Sequence, residues 1–113
     1  MDGELVGTVQ LLIDTPPNQP HRADVAKLLV RTDARGRAVA SALLHALEAE
    51  ATRRGRTLLT LDTVEGGAAD RLYPRLGYRR VGAIPGYALF PDGTLCATVV
   101  YYKLLSPAGG SVA

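Results

Sequence analysis

The chain has no tryptophan, one cysteine, one phenylalanine and one methionine among its 113 residues. The single thiol, Cys96, excludes a disulfide framework within the chain and argues for a reducing compartment. Histidine is scarce too. His21 and His45 have no second His or Cys at ligand spacing, so no metal site is expected. No apolar run approaches the ~20 residues that a membrane helix requires. Met1 to Gln10 lacks both a basic start and a long apolar centre, so no signal peptide is read there. The net charge of +2 is too small to argue for a nucleic-acid partner. These absences lead to the expectation of a cytoplasmic protein working without membrane, metal or nucleic acid.

What is present is an ordinary globular balance, 47% hydrophobic and 21% charged. A chain this long buries roughly two-thirds of its unfolded surface, enough for a core in one domain. The basic residues are biased: Lys27 and Lys103 are the only lysines, and the rest are arginines. Arginine's planar fork suits phosphate, although surface solubility explains the same bias.

Residues 4–13 end in β-type alternation and read as a strand, followed by a Pro-rich loop from Asp14 to Pro20. Asp24 to Val30 reads as a second strand, and Thr32 to Arg37 as a turn. Val39 to Arg54 is the strongest helix, with Val39, Leu43, Leu47 and Ala51 on one stripe that Leu44 widens, and Gly55 as its stop. Thr57 to Leu61 reads as a buried parallel strand. Gly66 to Leu76 reads as a second helix that Pro74 shortens and Gly77 ends. Arg79 to Ile84 and Cys96 to Leu105 read as an antiparallel pair, with residues 85–93 as their connecting loop. The expectation is therefore an α/β fold, a mixed sheet in the order β-β-α-β-α-β-β. It is one domain over residues 1–105 with a flexible tail at 106–113.

One passage carries chemistry. Leu28 to Leu44 takes a strand through a turn bearing Arg35, Gly36 and Arg37 straight into the long helix. The first amides of a helix have no intrahelical partner and sit at the positive end of its dipole, which suits a pyrophosphate. Gly36, Ala38 and Ala40 are small enough to let phosphate approach, and Arg35 and Arg37 add charge. An ordinary strand–turn–helix with incidental arginines fits the same residues. Neither the Walker spacing nor a GxGxxG pattern is present.

Arg35-Gly36-Arg37-Ala38-Val39-Ala40 resembles motif A of the GNAT superfamily of N-acetyltransferases. Leu72-Tyr73-Pro74-Arg75-Leu76-Gly77-Tyr78 resembles its motif B. The passages HRADVAKLLV, LLTLDTVEGGAADRLY and GAIPGYALFPDGTLCATVVYYK resemble the tabtoxin-resistance acetyltransferases, and the likeness covers residues 4–105. It implies a fold splayed between the strands ending at Val30 and Asp62, with acetyl-CoA in the gap. The pyrophosphate would lie on the amides of Arg35, Gly36, Arg37, Ala38, Val39, Ala40 and Ser41, and the pantetheine arm along Leu28, Leu29 and Val30. Two positions depart from the family pattern: Ala38 stands for the first glycine of motif A, and Gly66 for a frequent Asn early in the motif B helix. Typical members also open with a strand, two helices and another strand before the point where this chain begins. By that comparison most of the acceptor wall is missing.

Acetyl transfer to an amine needs a base for the amine's proton and a donor for the departing thiolate. Asp24 lies six residues before Val30, about 20 Å at ~3.3 Å per residue, within reach of a long arm. Asp62 closes the neighbouring strand, where ligand sites of open α/β sheets collect. The resemblance implies that Asp24 and Asp62 are the catalytic carboxylates and Tyr73 the proton donor. A solvated strand start, a cap and core packing are the corresponding structural readings. Cys96 reads as an inert thiol, and Arg53, Arg54 and Arg56 as a solvated helix end. Tyr87 and its loop are read as an acceptor contact.

The expected function is acetyl transfer from acetyl-CoA to a small-molecule amine. A β-lactam-type toxin or antibiotic is the suggested acceptor, resistance the role, and a homodimer the expected assembly. The alternative is a non-catalytic acetyl-CoA-binding or dimerisation domain.

Overall fold

The computed structural model describes residues 7–30 and 36–105, with Gly36 and Arg37 described by their backbone alone. Arg35 and residues 32–34 of the turn expected from Thr32 to Arg37, like the tail at 106–113, lie outside the described residues. The elements are β1 (Gly7–Leu12), β2 (Arg22–Val30), α1 (Gly36–Arg53), β3 (Leu58–Val64), α2 (Ala68–Arg75), β4 (Arg79–Leu89) and β5 (Leu95–Leu104). The strands form a five-stranded mixed sheet in the order β1-β2-β3-β5-β4, which is the α/β class expected. No helix among the described residues is long and apolar enough to cross a membrane.

The contacts fall into two compact units. The first reaches Leu59 and takes in Leu104 and Leu105; the second runs Thr60–Lys103. In the first, β1 and β2 pair antiparallel and α1 packs on both. The stripe that α1 buries is Ala40, Leu44, Leu47 and Ala51, which keeps the expected Leu44, Leu47 and Ala51 and takes Ala40 in place of Val39 and Leu43. Steps of four, three and four follow the true 3.6-residue period better than a strict run of fours. Val39 and Leu43 instead flank Gly7, where an added Cβ would meet both side chains and the Leu29 carbonyl at 3.1 Å. Each fully buried leucine, Leu44 among them, contributes about 1.5–3 kcal/mol. Gly55 ends the helix at φ +76°, a conformation costly for any other residue.

β2 is not a regular strand. Thr8 faces Leu29 and Gln10 faces Ala26, so a step of two on β1 answers a step of three on β2. The extra residue is a β-bulge, and Lys27 sits in it at φ +54°. The loop before β2 is tied down by Arg56, whose Nη1 donates to the Pro20 carbonyl (2.7 Å), the Arg22 carbonyl (3.2 Å) and Thr15 Oγ1 (3.4 Å). Arg56 is thus a half-buried clamp rather than part of a solvated helix end. Arg53 and Arg54, which pair with Glu50 on the exposed helix surface, fit that description.

In the second unit β4 and β5 pair antiparallel, as expected, but β4 continues past Ile84 to Leu89. Pro85 had marked a loop there. β4 is an edge strand, where a proline costs no ladder bond, and Gly86 at φ +61° carries the chain through an irregularity between Ile84 and Ala88. The core of this unit is Leu61, Leu72, Tyr73, Tyr78, Val99 and Tyr101. Tyr73 meets Tyr78 edge-on at 5.2 Å between centroids and Tyr101 at 5.6 Å, favourable separations for aromatic pairs.

Candidate active site

In the first unit, Asp24 lies between Ala23 and Val25, both buried, so its own side chain is on the opposite face of β2. It is 36% exposed and bonded through Oδ1 to Arg22 Nη1 at 2.6 Å. Leu28 and Val30 are half-buried, and Leu29 is exposed. The bulge at Lys27 interrupts the strand just before them and leaves one residue of β2 without a cross-strand counterpart.

α1 begins at Gly36, so Gly36 and Arg37 are helical rather than part of the preceding turn. No acidic residue occupies its first turn. The first amides of a helix have no intrahelical partner and carry positive partial charge, a donor set that fits a pyrophosphate. Ala38 is exposed, so its methyl group is not needed for packing; Ala40 is buried and serves the core. Val39 and Ser41 are half-buried.

Asp62 and Tyr73 fall together in the second unit. Asp62 is exposed on β3, and its Oδ2 accepts the hydroxyl proton of Thr98 on β5 at 2.7 Å. Tyr73 is 4% exposed in the middle of α2. Burial raises its phenol to about 12, and like any phenol it is protonated at neutral pH. The turn joining β3 to α2 is held by Asp70: Gly66 N–H donates to Asp70 Oδ2 at 2.8 Å, and the Tyr101 hydroxyl donates to Asp70 Oδ1 at 2.5 Å. Gly66, which stands where the family pattern has an Asn, is thus held through its backbone amide by a carboxylate four residues on.

Thr98, Tyr101, Asp70 and the Lys27 bulge were not singled out from the sequence. Thr98 and Tyr101 sit in an apolar strand, ATVVYYKL, whose pattern gives no reason to separate them from packing residues. Cys96 is half-buried with Sγ 3.5 Å from the Ala88 carbonyl oxygen.

The family model described as Acetyltransferase (GNAT) family matches residues 1–78. A ribosomal-protein-alanine N-acetyltransferase from Brucella melitensis superposes with TM-score 0.81 at 23% identity, covering 93% of this chain and 65% of that one. An acetyltransferase of the same family from Streptococcus pneumoniae gives 0.83 at 21%, covering 93% and 63%. An acetyltransferase from Salmonella typhimurium, solved with its cofactor acetyl-CoA, gives 0.82 at 18%, covering 100% and 65%. This chain therefore spans under two-thirds of the length of each of those structures. At these identities the superpositions establish a shared fold. The sequence match over residues 1–78 adds the family: the chain belongs to the GNAT acetyltransferases.

Proposed function

We propose that this protein transfers an acetyl group from acetyl-CoA to a primary amine. Bound acetyl-CoA supplies an activated acetyl thioester. The amides from Arg35 to Ser41 hold its pyrophosphate, and the backbone of Leu28, Leu29 and Val30 guides the pantetheine arm. Asp62 accepts the proton that the attacking amine gives up, directly or through one water, and Asp24 serves as the second carboxylate for acceptor binding or proton relay. Tyr73 donates its phenolic proton to the departing thiolate. Solvent then takes the proton from Asp62 and returns one to Tyr73, which restores both groups. The observation that supports this most is that one unit holds both an exposed strand carboxylate, Asp62, and a buried phenol, Tyr73.

The acceptor class we infer is a small-molecule amine, a β-lactam-type toxin or antibiotic, with resistance as the role. The support is the resemblance of HRADVAKLLV and LLTLDTVEGGAADRLY to the tabtoxin-resistance acetyltransferases. The Brucella melitensis structure bears the name of a ribosomal-protein-alanine enzyme, which makes a peptide α-amine the rival acceptor. We also infer a cytoplasmic homodimer. Its support is the edge strand β4, which exposes Val81, Ile84, Tyr87 and Leu89, because an uncovered apolar edge favours pairing. The test is release of CoA thiol from acetyl-CoA with a panel comprising a β-lactam amine, free amino acids, a polyamine and an alanine-terminated peptide. Turnover confined to the small amines supports the proposed acceptor. Turnover confined to the peptide replaces it with the rival, and no turnover with any of them rejects the enzyme.

A further inference from the structure

Tyrosines aside, Thr98 is the one polar residue buried among the described residues, at 5% exposure. A buried hydroxyl requires a partner, and this one has two acceptors in reach: Asp62 Oδ2 at 2.7 Å and the Thr63 carbonyl oxygen at 3.2 Å. A threonine hydroxyl carries one proton, so it serves one acceptor at a time. The shorter contact is to the carboxylate, the stronger acceptor when ionised.

We propose that Thr98 is a positioning residue for Asp62, fixing one carboxylate oxygen before and after the proton is taken up. While Asp62 is ionised, Thr98 donates to Oδ2 and leaves Oδ1 to meet the amine. If the amine's proton settles on Oδ1, Oδ2 goes on accepting from Thr98. If it settles on Oδ2, the hydroxyl rotates, accepts that proton's hydrogen bond and donates its own to the Thr63 carbonyl. Either way no buried hydroxyl is stranded, and the carboxyl keeps its orientation through the transfer. The β-branched side chain suits this task, because threonine has fewer χ1 choices on a strand than serine. β5 lies between β3 and β4 in the sheet order, so Thr98 is on an interior strand rather than an edge.

This role rests on the proposed use of Asp62 as the base, and the experiment separates the two. The amine of the panel that turns over best is used with wild type, Asp62→Asn, Thr98→Val, Thr98→Ser and the Asp62→Asn/Thr98→Val double variant. Thermal unfolding of each shows that it is folded. Orientation errors of this kind cost up to about 10²-fold. Thr98→Val is therefore expected to lower kcat about tenfold to a hundredfold, with the KM for acetyl-CoA unchanged, and Thr98→Ser to recover most of the loss. On the Asp62→Asn background, Thr98→Val is expected to do nothing further. A wild-type kcat in Thr98→Val beside an impaired Asp62→Asn overturns the role of Thr98 alone. An equal loss on both backgrounds shows a merely structural hydroxyl and overturns it as well. A wild-type chain that turns over no amine rejects the base and the positioning residue together.

Discussion

Tyr101 donates its phenolic proton to Oδ1 of Asp70 at 2.5 Å, and the same hydroxyl oxygen lies 2.9 Å from the Asp70 carbonyl oxygen. A residue on β5 thereby closes the first turn of α2, the helix that carries Tyr73. That helix has Gly67 at its N-cap and no side-chain cap; the bond from β5 instead holds the Asp70 carboxylate, whose other oxygen accepts the Gly66 amide just before the helix.

This bond makes a prediction at low pH. The Tyr101 hydroxyl, and after it the Gly66 amide, hold the Asp70 carboxyl below its ordinary value. A carboxyl depressed in the folded state contributes stability that is fully present above the unfolded value of about 3.9 and is lost as pH falls through the depressed one. Tyr101→Phe should therefore be less stable than wild type at pH 6, and the gap should narrow on acidification below pH ~4. Chemical denaturation at a series of pH values measures it. A gap independent of pH would show that the bond to the carboxylate contributes nothing.

At high pH the sign reverses. Tyr73 and Tyr101 are both raised to about 12, in each case chiefly by burial. A phenol raised on folding contributes stability that is present below its unfolded value of about 10 and is lost as pH climbs through the folded one. Ultraviolet titration should show Tyr73 and Tyr101 among the tyrosines that ionise late or together with unfolding, and Tyr73→Phe and Tyr101→Phe should each remove one late group. Two early-titrating groups at these positions would contradict their burial.

Lys27 at φ +54° predicts a stabilising substitution. The left-handed conformation costs an L-residue roughly 1–2 kcal/mol, of which glycine's extra chain entropy takes back about 0.5–1. Lys27→Gly should gain up to about 1 kcal/mol and raise Tm by several degrees, whereas the β-branched Lys27→Val should lose at least as much. Differential scanning calorimetry of the two variants reads both signs. A neutral Lys27→Val would mean that the bulge is not held in solution.

The chemistry itself predicts a split between binding and turnover. Asp62→Asn removes the base and should lower kcat by about 10²–10⁴-fold with acetyl-CoA affinity unchanged. Tyr73→Phe keeps the ring against Tyr78 and Tyr101 and should likewise lower kcat with little effect on Tm. Steady-state kinetics beside calorimetric titration separates the two quantities.

How far the sequence was legible follows from range. The α1 helix, its stop at Gly55 and the order of elements were all readable, because hydrophobic period and glycine position are local signals. On α1 the buried Leu44, Leu47 and Ala51 are readable from the period, whereas Ala40 is not, because Val39 and Leu43 are at least as apolar and only their seat against Gly7 distinguishes them. β4 was cut short at Pro85 because the tolerance of an edge strand for proline depends on its place in the sheet, which no local pattern states. Among the candidate residues, Asp62 and Tyr73 were found through motif spacing. Thr98 and Asp70 were not, since each acts through a partner 36 or 31 residues away. Arg56 was misread for the same reason, its acceptors lying 34 to 41 residues back in the chain.

The most direct test of the central claim is calorimetric titration of this chain with acetyl-CoA, beside Gly36→Asp. A carboxylate in the first turn of α1 suits the helix dipole, so the variant should fold, but it opposes a pyrophosphate on the same amides. Binding in the micromolar range that is lost in Gly36→Asp is the predicted result. Equal binding by both proteins would move the phosphate elsewhere, and no heat at millimolar acetyl-CoA would contradict the account.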